Sequence, residues 1–274
     1  MNVNNIINNL STSVPKSGNT YINADGLQCC ASCHAQVETI IIDPFTKQEK
    51  KVRCICNCRK KELEAHKEIE AYQDRERKRM ICFSETNMKT WTFENDDHKN
   101  EKMSNAMKKY VEHFDEYRKE GKGLLLHGAV GTGKTYLAAC ICNALIDKGF
   151  SAKMTDFNRL SNQIFDTKDG KQAFIDSFNK YSILVLDDLG VERTTEWMKE
   201  MVYTIINNRY RAGLPFIITT NLTMQQITSP QEVAYARIYD RILERCIPVE
   251  IAGVSRRRQG LAQTLASEKA RLGL

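Results

Sequence analysis

The chain has 274 residues, of which 42% are hydrophobic and 27% charged, and its net charge is +6. This length accommodates one α/β domain of ordinary size and a smaller appendage. No apolar run approaches the roughly 18 residues that suggest a membrane span, and the N-terminus lacks the basic start and apolar core of a secretion signal. We therefore expect a cytoplasmic protein with no membrane partner, whose charge permits a polyanionic partner without requiring one.

The N-terminal third is rich in cysteine. Residues 1–28 are expected to form a polar tail, for which a short helix and a frayed terminus are equally compatible. Six of the ten cysteines lie within residues 29–58, in two clusters separated by a strand-like segment and a turn. Two such clusters about 20 residues apart predict a zinc-ribbon-like domain over 29–58. Metal would stabilise this segment, because it has too few large apolar side chains to build a core.

Cys30 and Cys33 are the better first pair of Zn²⁺ ligands, because C-x-x-C lets both sulfurs face one ion. Cys54, Cys56 and Cys58 offer three choices for the second pair, of which we favour Cys56 and Cys58. Three other interpretations exist: C-x-x-C-H haem attachment, a thioredoxin-like redox pair, and unliganded thiols. Haem attachment belongs to exported proteins, and the redox pair needs a surrounding βαβ pattern that is missing. A disulfide framework is disfavoured because the thiols of a cytosolic protein stay reduced.

A charged segment without Gly or Pro follows the cysteines. Good helix formers and opposite charges at i,i+4 predict an exposed connecting helix over 59–80. Its basic end, Arg75 to Arg79, is compatible with contact to nucleic acid or with a solvated face. Beyond it, Trp91 and Phe93 fit either an adenine contact or core packing, and a long helix is predicted from Lys102 to Lys119.

The rest of the chain is organised around Gly128-Ala129-Val130-Gly131-Thr132-Gly133-Lys134-Thr135, which matches G-x-x-x-x-G-K-[ST]. A strand-like apolar run precedes this loop, and a helical segment beginning at Tyr136 follows it. Glycines let the backbone fold around an anion, and free N–H groups at the helix start point at phosphate oxygens. Residues 128–136 are therefore predicted to bind a nucleoside triphosphate. Lys134 would reach the β- and γ-phosphates, and Thr135 would hold Mg²⁺.

Alternating strand-like and helical segments after the loop predict an α/β fold, with a parallel sheet flanked by helices. One strand ends in Asp187-Asp188, at the carboxyl edge where such sheets bind ligands. Asp187 would hold the Mg²⁺ hydration shell, and Asp188 would polarise the attacking water. A later strand, 214–220, ends in Asn221, whose amide would contact the γ-phosphate or the lytic water.

Taken together, these motifs resemble the AAA+ ATPases of the DnaC/DnaI helicase-loader group, whose close relative is the transposition ATPase IstB. The segments that carry the resemblance are 127–135, 186–190, 219–223, 237–241 and 255–257. The resemblance covers about residues 80–260 and implies an AAA+ P-loop NTPase domain with a minimal lid over 81–274. The cysteine-rich N-terminal domain is similar to that of the DnaI type, though less closely.

The resemblance also implies roles for single residues. Asn221 takes the sensor 1 role. Arg241, with Arg237 as the alternative, resembles the arginine finger that completes a neighbouring subunit's site. Such a finger makes physical sense, because a cation supplied in trans stabilises charge on the transferring phosphoryl group.

Arg257 resembles the sensor 2 arginine, although Arg256 and Arg258 beside it leave this choice open. The second acid of the pair, Asp188, departs from the family pattern, since most AAA+ proteins have the longer Glu there. Hydrolysis is therefore expected to be slow.

The function implied is ATP-dependent loading of a replicative hexameric DNA helicase, with ATP, Mg²⁺ and Zn²⁺ as cofactors. Single-stranded DNA would be bound, and the ATP-bound protein would form a homo-oligomer. Two alternatives stay open: an IstB-like partner of a transposase, and a zinc-dependent adaptor in which ATP is a structural ligand. A DnaA-like initiator is disfavoured because too few residues follow residue 260 for a helix-turn-helix. Asn221 and the arginines argue against a small-molecule kinase.

Overall fold

The computed structural model describes residues 20–97, 99–166, 170–190, 196–256, 265 and 267–273. Residue contacts divide the chain into two units, Met1–Asp74 and Arg75–Leu274. The division falls inside one long helix, α1 (Asn57–Cys82), which extends the predicted connecting helix at both ends. None of the described helices combines the length and apolarity needed to cross a bilayer.

The N-terminal unit contains two antiparallel hairpins and the first part of α1. Its strands are β1 (Thr20–Ile22) paired with β2 (Gln28–Cys30), and β3 (Glu38–Ile42) paired with β4 (Glu49–Arg53). Among its described residues, the buried apolar and sulfur side chains are Leu27, Cys29, Cys30 and Cys56. The described residues of this unit, 20–74, therefore form no hydrophobic core of ordinary size.

The first hairpin lies in the segment that the sequence analysis grouped with the N-terminal tail. Its turn is held by Asn23, whose Oδ1 accepts hydrogen bonds from the backbone N–H groups of Asp25 and Leu27. Gly26 takes φ +71, a conformation that glycine adopts without strain. The order of residues 20–28 thus has a local cause, while residues 1–19 lie outside the described part of the chain.

The second unit is an α/β fold built on a five-stranded parallel sheet. The strands are β5 (Gly123–His127), β6 (Ala152–Asp156), β7 (Ile183–Leu189), β8 (Phe216–Thr220) and β9 (Cys246–Glu250), in the spatial order β6-β7-β8-β5-β9. Leu124 and Leu126 join one buried cluster and Leu125 the other, because successive strand side chains point to opposite faces. The predicted parallel sheet flanked by helices is confirmed.

Helices cover both faces of this sheet. They are α2 (Glu101–Glu112), α3 (Phe114–Glu120), α4 (Lys134–Asp147), α5 (Phe157–Asp166), α6 (Lys171–Ser177), α7 (Glu196–Arg211), α8 (Met224–Thr228) and α9 (Val233–Arg245), with short 3₁₀ helices at Thr86–Thr90 and Phe178–Lys180. The C-terminal end of α1 packs with α2 and α4 on one face of the sheet. Helices α5, α7 and α9 pack on the other face.

Two elements differ from the prediction. The single helix expected from Lys102 to Lys119 is interrupted at His113, whose φ of −96° and ψ of 18° are not helical. The last strand begins at Cys246 rather than near Val249 and includes Pro248. Proline cannot donate to a ladder, and it is tolerated in β9 because this edge strand pairs only with β5.

Candidate nucleotide-binding site and cysteine cluster

The predicted phosphate-binding loop lies between β5 and α4. Gly131 and Gly133 take φ +83 and +102. A Cβ on Gly131 would lie 2.2 Å from Ser255 Oγ, and one on Gly128 would lie 2.6 Å from the Ile251 carbonyl oxygen. Glycine is therefore required by close packing as well as by backbone conformation. The first N–H groups of a helix have no acceptor within the helix, so the start of α4 beside this turn is suited to an anion.

Lys134 is the buried cation of the loop. Its Nζ donates to the carbonyl oxygens of Gly128 and Ala129 at 2.9 and 2.8 Å, and to Asn221 Oδ1 at 2.8 Å. These three acceptors are neutral groups that orient the ammonium within the loop. The group is thus positioned for an anionic phosphate.

The acidic pair lies on a β-bulge at the end of β7. The register of β7 against β8 shifts between Leu186 and Leu189, and Asp188 takes φ +64. Aspartate enters this left-handed region more readily than most residues, and bulges near active sites re-aim side chains. As a result, Asp187 faces Thr135 while Asp188 faces Asn221.

Asp187 and Thr135 form a fitting pair for Mg²⁺. Asp187 Oδ1 accepts from Thr135 Oγ1 at 3.0 Å and from Thr219 Oγ1 at 2.5 Å. Neighbouring ligands in an octahedral Mg²⁺ shell, each about 2.1 Å from the ion, are separated by about 3.0 Å. Burial raises the pKa of Asp187, and the two hydroxyl donors oppose that rise.

Asn221 connects the cation to the second acid. Its Oδ1 accepts from Lys134, and its Nδ2 donates to Asp188 Oδ1 at 3.1 Å. The structure therefore brings five of the predicted site residues together: Lys134, Thr135, Asp187, Asp188 and Asn221.

Thr219 is a site residue that the sequence analysis did not single out. Its hydroxyl donates to Asp187 and accepts from the backbone N–H of Asp188 at 2.9 Å. It therefore fixes both acids of the bulge from the neighbouring strand. The sequence signal that could have identified Thr219 is its position two residues before Asn221, near the same edge of the sheet.

A cavity of about 240 Å³ opens beside the loop. Trp91 and Tyr136 line it together with loop residues, and their ring centroids are 5.6 Å apart. The Tyr136 hydroxyl donates to the Thr92 carbonyl at 2.9 Å. Phe93, by contrast, is buried in the core. Of the two aromatic candidates for an adenine contact, only Trp91 is placed to meet a ligand.

The predicted arginines differ in their surroundings. Arg241 donates to Asn207 Oδ1 at 2.9 Å and to the Tyr203 hydroxyl at 3.0 Å, and its guanidinium lies over the Tyr203 ring. Arg237, one turn earlier on α9, is exposed, and within the described chain its side chain has no hydrogen-bond or ion-pair partner. This geometry favours Arg237 as the side chain free to reach a neighbour. Arg257 lies outside the described residues.

The basic end of α1 packs against α4. Arg79 donates to Asn143 and forms ion pairs with Glu76 and Asp147, and Lys78 donates to the Gly149 carbonyl. These contacts give Arg79 and Lys78 a packing role, which neither sequence interpretation anticipated.

The cysteine cluster lies in the N-terminal unit. The Sγ atoms of Cys30, Cys33, Cys56 and Cys58 all lie within 4.8 Å of one another. Tetrahedral zinc with Zn–S bonds of about 2.3 Å requires sulfurs about 3.8 Å apart, so these four fit the ion after a small contraction. Backbone N–H groups of Cys33 and Ser32 lower the pKa of Cys30 to about 7. A hydrogen bond with Cys33 and burial raise the pKa of Cys58 to about 11, and a bound cation would favour both thiolates. Cys54 is not part of the cluster.

The fold and the site define a class: an α/β P-loop protein whose nucleotide site combines a lysine, two acids and an asparagine on neighbouring strand ends. The sequence profile of the IstB-like ATP binding protein family matches residues 48–264, which is most of the chain. The chain therefore belongs to the IstB-like ATP-binding family.

Individual relatives agree with this assignment. The replicative helicase loader DnaI of Bacillus subtilis is 32% identical over 155 residues, covering 50% of this chain and 48% of that protein. The replicative helicase loader DnaC of Escherichia coli K12 is 26% identical over 155 residues, covering 55% and 62%. The chain thus spans about half to three fifths of the length of these relatives.

Solved structures give the same result. A crystal structure of DnaI superposes with a TM-score of 0.54 at 28% identity, covering 66% of this chain and 99% of that one. The crystal structure of the DnaC helicase loader gives 0.52 at 28% identity, covering 61% and 100%. The resemblance inferred from the motifs is confirmed.

Proposed function

We propose that this protein is an ATP-dependent loader of a replicative DNA helicase. The observation that carries the proposal is the assembled Lys134–Asn221–Asp188 chain in a protein whose relatives are named as replicative helicase loaders. Binding of the helicase and of single-stranded DNA, and oligomer formation with ATP, are all part of the proposal.

Nucleotide chemistry follows from the site residues. Lys134 and the N–H groups of the loop bind the β- and γ-phosphates. Thr135 and Asp187 would hold Mg²⁺, which supplies charge neutralisation when bound. Asp188 orients the attacking water and accepts its proton, while Asn221 fixes the Asp188 carboxylate relative to Lys134. Because Asp is shorter than Glu, turnover is slow.

In this proposal the N-terminal unit binds the helicase. The cysteine cluster would bind Zn²⁺ and so hold the two hairpins. Ile42, Phe45 and Ile55 have exposed fractions of 67%, 93% and 65%. Large apolar side chains exposed close together in the sequence of so small a unit support a protein-binding surface.

The direct test is helicase loading onto circular single-stranded DNA, with and without this protein and with ATP or no nucleotide. ATP-dependent stimulation is expected, and its absence contradicts the proposal. Phe45→Ala should reduce capture of the helicase, whereas Lys50→Ala on the same hairpin, also exposed, should not.

A transposase partner is the second candidate. It is favoured by the family profile itself and by a Mycobacterium tuberculosis relative named as an ATP-binding protein in an insertion sequence, 26% identical over 143 residues. That match covers 50% of this chain and 56% of the relative. Co-purification with a transposase in place of a hexameric helicase would decide for it.

The Asp188→Asn variant distinguishes a helicase loader from a zinc-dependent adaptor. This change should retain ATP binding and lower turnover by about 100-fold or more. A loader that needs hydrolysis loses activity with turnover, whereas an adaptor with structural ATP keeps its activity.

A further inference from the structure

Asn143 is a buried polar side chain of α4 that the proposed nucleotide chemistry does not use. It is fully buried, and both its amide nitrogen and its amide oxygen are hydrogen-bonded. Nδ2 donates to the carbonyl oxygens of Met88 and Trp91, each at 2.9 Å. Oδ1 accepts from Arg79 Nε at 3.1 Å. The amide is satisfied in this orientation only, because a carbonyl cannot donate and a guanidinium cannot accept.

The two carbonyls belong to a short backbone turn that ends at Trp91. The Trp91 N–H donates to the Met88 carbonyl at 3.2 Å, so Asn143 bridges the two ends of this turn. A second side chain of α4 holds the next residue, because the Tyr136 hydroxyl donates to the Thr92 carbonyl at 2.9 Å. Tyr136 and Asn143 are seven residues apart and therefore share one face of the helix. The helix that follows the phosphate-binding loop thus fixes the backbone of this turn.

Arg79 keeps the Asn143 amide in place. Its Nη1 is 2.8 Å from Glu76 Oε1, and its Nη2 is 2.5 Å from Asp147 Oδ1. With both ends of the guanidinium paired to carboxylates, Nε is left to face Asn143. The C-terminal end of α1 therefore sets the orientation of the amide that holds the turn.

We propose that Asn143 is a positioning residue for nucleotide recognition, which holds the Trp91 ring against the base of the nucleotide. This inference rests on the proposed ATP binding. The ring lines the cavity of about 240 Å³ beside Lys134, and its centroid is 5.6 Å from that of Tyr136. An aromatic face offers stacking area to a base and no cation to a phosphate. Because the indole is carried by its backbone, the Asn143 hydrogen bonds decide where this face lies.

The test compares Mg·ATP with inorganic tripolyphosphate, which has phosphates but no base, in calorimetric titrations of the full-length protein. Trp91→Ala should weaken ATP binding about 5- to 100-fold, the range for a lost aromatic–base stack. Asn143→Asp keeps the size of the side chain and its Arg79 partner, but it turns a carboxylate oxygen toward the two carbonyls. This variant should weaken ATP binding about 5- to 20-fold and leave the affinity for tripolyphosphate unchanged.

A double-mutant cycle separates positioning from a general loss of structure. In the Trp91→Ala background, Asn143→Asp should have no further effect on ATP affinity, since no ring remains to be positioned. Arg79→Lys is a milder change, which keeps a cation near Glu76 and Asp147 but removes the Nε donor to Asn143. It should cause a smaller loss that is again confined to ATP.

Ile205→Ala is the matched control. Ile205 is buried on α7 in the cluster on the other face of the sheet, so its truncation destabilises the fold at a distance from the Trp91 turn. Both affinities should be unchanged.

Trp91 fluorescence gives a second readout. Trp197→Phe leaves Trp91 as the sole tryptophan of the chain, which contains two. In that background and without nucleotide, Asn143→Asp should increase the quenching of Trp91 by acrylamide, whereas Ile205→Ala should not.

Equal losses of ATP and tripolyphosphate affinity in Asn143→Asp overturn the inference, because Asn143 would then support the loop and not the Trp91 ring. Wild-type ATP affinity in Trp91→Ala or in Asn143→Asp also overturns it, as does an Asn143→Asp effect that persists without Trp91. If Asn143→Asp does not fold, Arg79→Lys takes its place in the cycle, and the same results in that variant overturn the inference. Absence of ATP binding by the unaltered protein contradicts the proposed function instead.

Discussion

The two units of this chain obtain their order in different ways. The α/β unit buries both faces of its sheet, so the strand ends that carry Asp187, Thr219 and Asn221 are fixed by packing. Residues 20–74 of the N-terminal unit bury little besides cysteines, and Ile42 and Phe45 are exposed to solvent. The α/β unit can therefore position a site before its ligand arrives, whereas we propose that the N-terminal unit depends on a metal ion for a stable shape.

Magnitudes support this contrast. A fully buried leucine or isoleucine contributes about 2 kcal/mol, whereas a structural zinc ion contributes about 10–16 kcal/mol. One ion in the cysteine cluster would thus replace roughly five to eight large buried side chains. The N-terminal unit has only Leu27 of that size among its buried described residues.

The largest expected effect is therefore loss of the metal. Cys56→Ala, or removal of zinc by a chelator, should unfold the N-terminal unit and leave the α/β unit folded. Hydrogen exchange should show amides of β1 to β4 losing protection while those of β5 and β8 keep theirs. Cys54→Ala is the control, because Cys54 lies outside the cluster. Equal effects of the two substitutions would refute the ligand assignment.

The next largest effect concerns the α/β unit. Its nucleotide site is incomplete if an arginine must come from a neighbouring subunit. Arg237→Ala should lower ATP turnover about 1000-fold, as for other trans-acting arginines, without lowering the melting temperature. Arg241→Ala should instead lower stability by about 1–3 kcal/mol, because its hydrogen bonds and ring contact are internal. Turnover and thermal unfolding of each variant separate the two roles.

A mixing experiment sharpens this test. Arg237→Ala subunits retain an intact loop, and Lys134→Ala subunits retain Arg237. A mixture of the two should recover part of the turnover if Arg237 acts across an interface. No recovery, together with loss of turnover in a stably folded Arg241→Ala protein, would favour Arg241.

The sequence predicted those parts of the site that lie in short contiguous segments. The loop 128–135 and the pair Asp187-Asp188 carry their chemistry within a few residues, so each could be read without knowing the fold. Asn221 needed only the additional expectation that parallel strands end at one edge.

Contacts that depend on strand order or on loop packing were not accessible in this way. Thr219 reaches Asp187 because β8 lies beside β7, and nothing local to either segment states that order. Arg256 meets Asp97 across more than 150 residues of chain. In the N-terminal unit, by contrast, the favoured pair Cys56 and Cys58 agrees with the observed cluster, in which Cys54 takes no part.

The smallest effect tests how the folded sheet holds Asp187. Burial raises the pKa of this carboxyl, so the folded state favours its protonated form. The stability that this preference provides is fully present below the ordinary Asp pKa and is lost as the pH rises through the raised value. Thr219→Val removes one donor to the carboxylate, raises the pKa further and increases that loss. We expect the variant to be less stable by about 1–2 kcal/mol more at pH 7 than at pH 4, measured by urea unfolding.

Thr220→Val provides the matched control on the same strand. The Thr220 hydroxyl donates to the Leu189 carbonyl and does not touch Asp187, so its removal should destabilise the protein equally at both pH values. Thr219→Val also deprives the Asp188 N–H of its acceptor, a cost that does not depend on pH. The informative quantity is therefore the difference between pH 7 and pH 4 in each variant. If that difference is the same for Thr219→Val and Thr220→Val, packing alone holds the acidic pair, and the Thr219 hydroxyl has no electrostatic part in it.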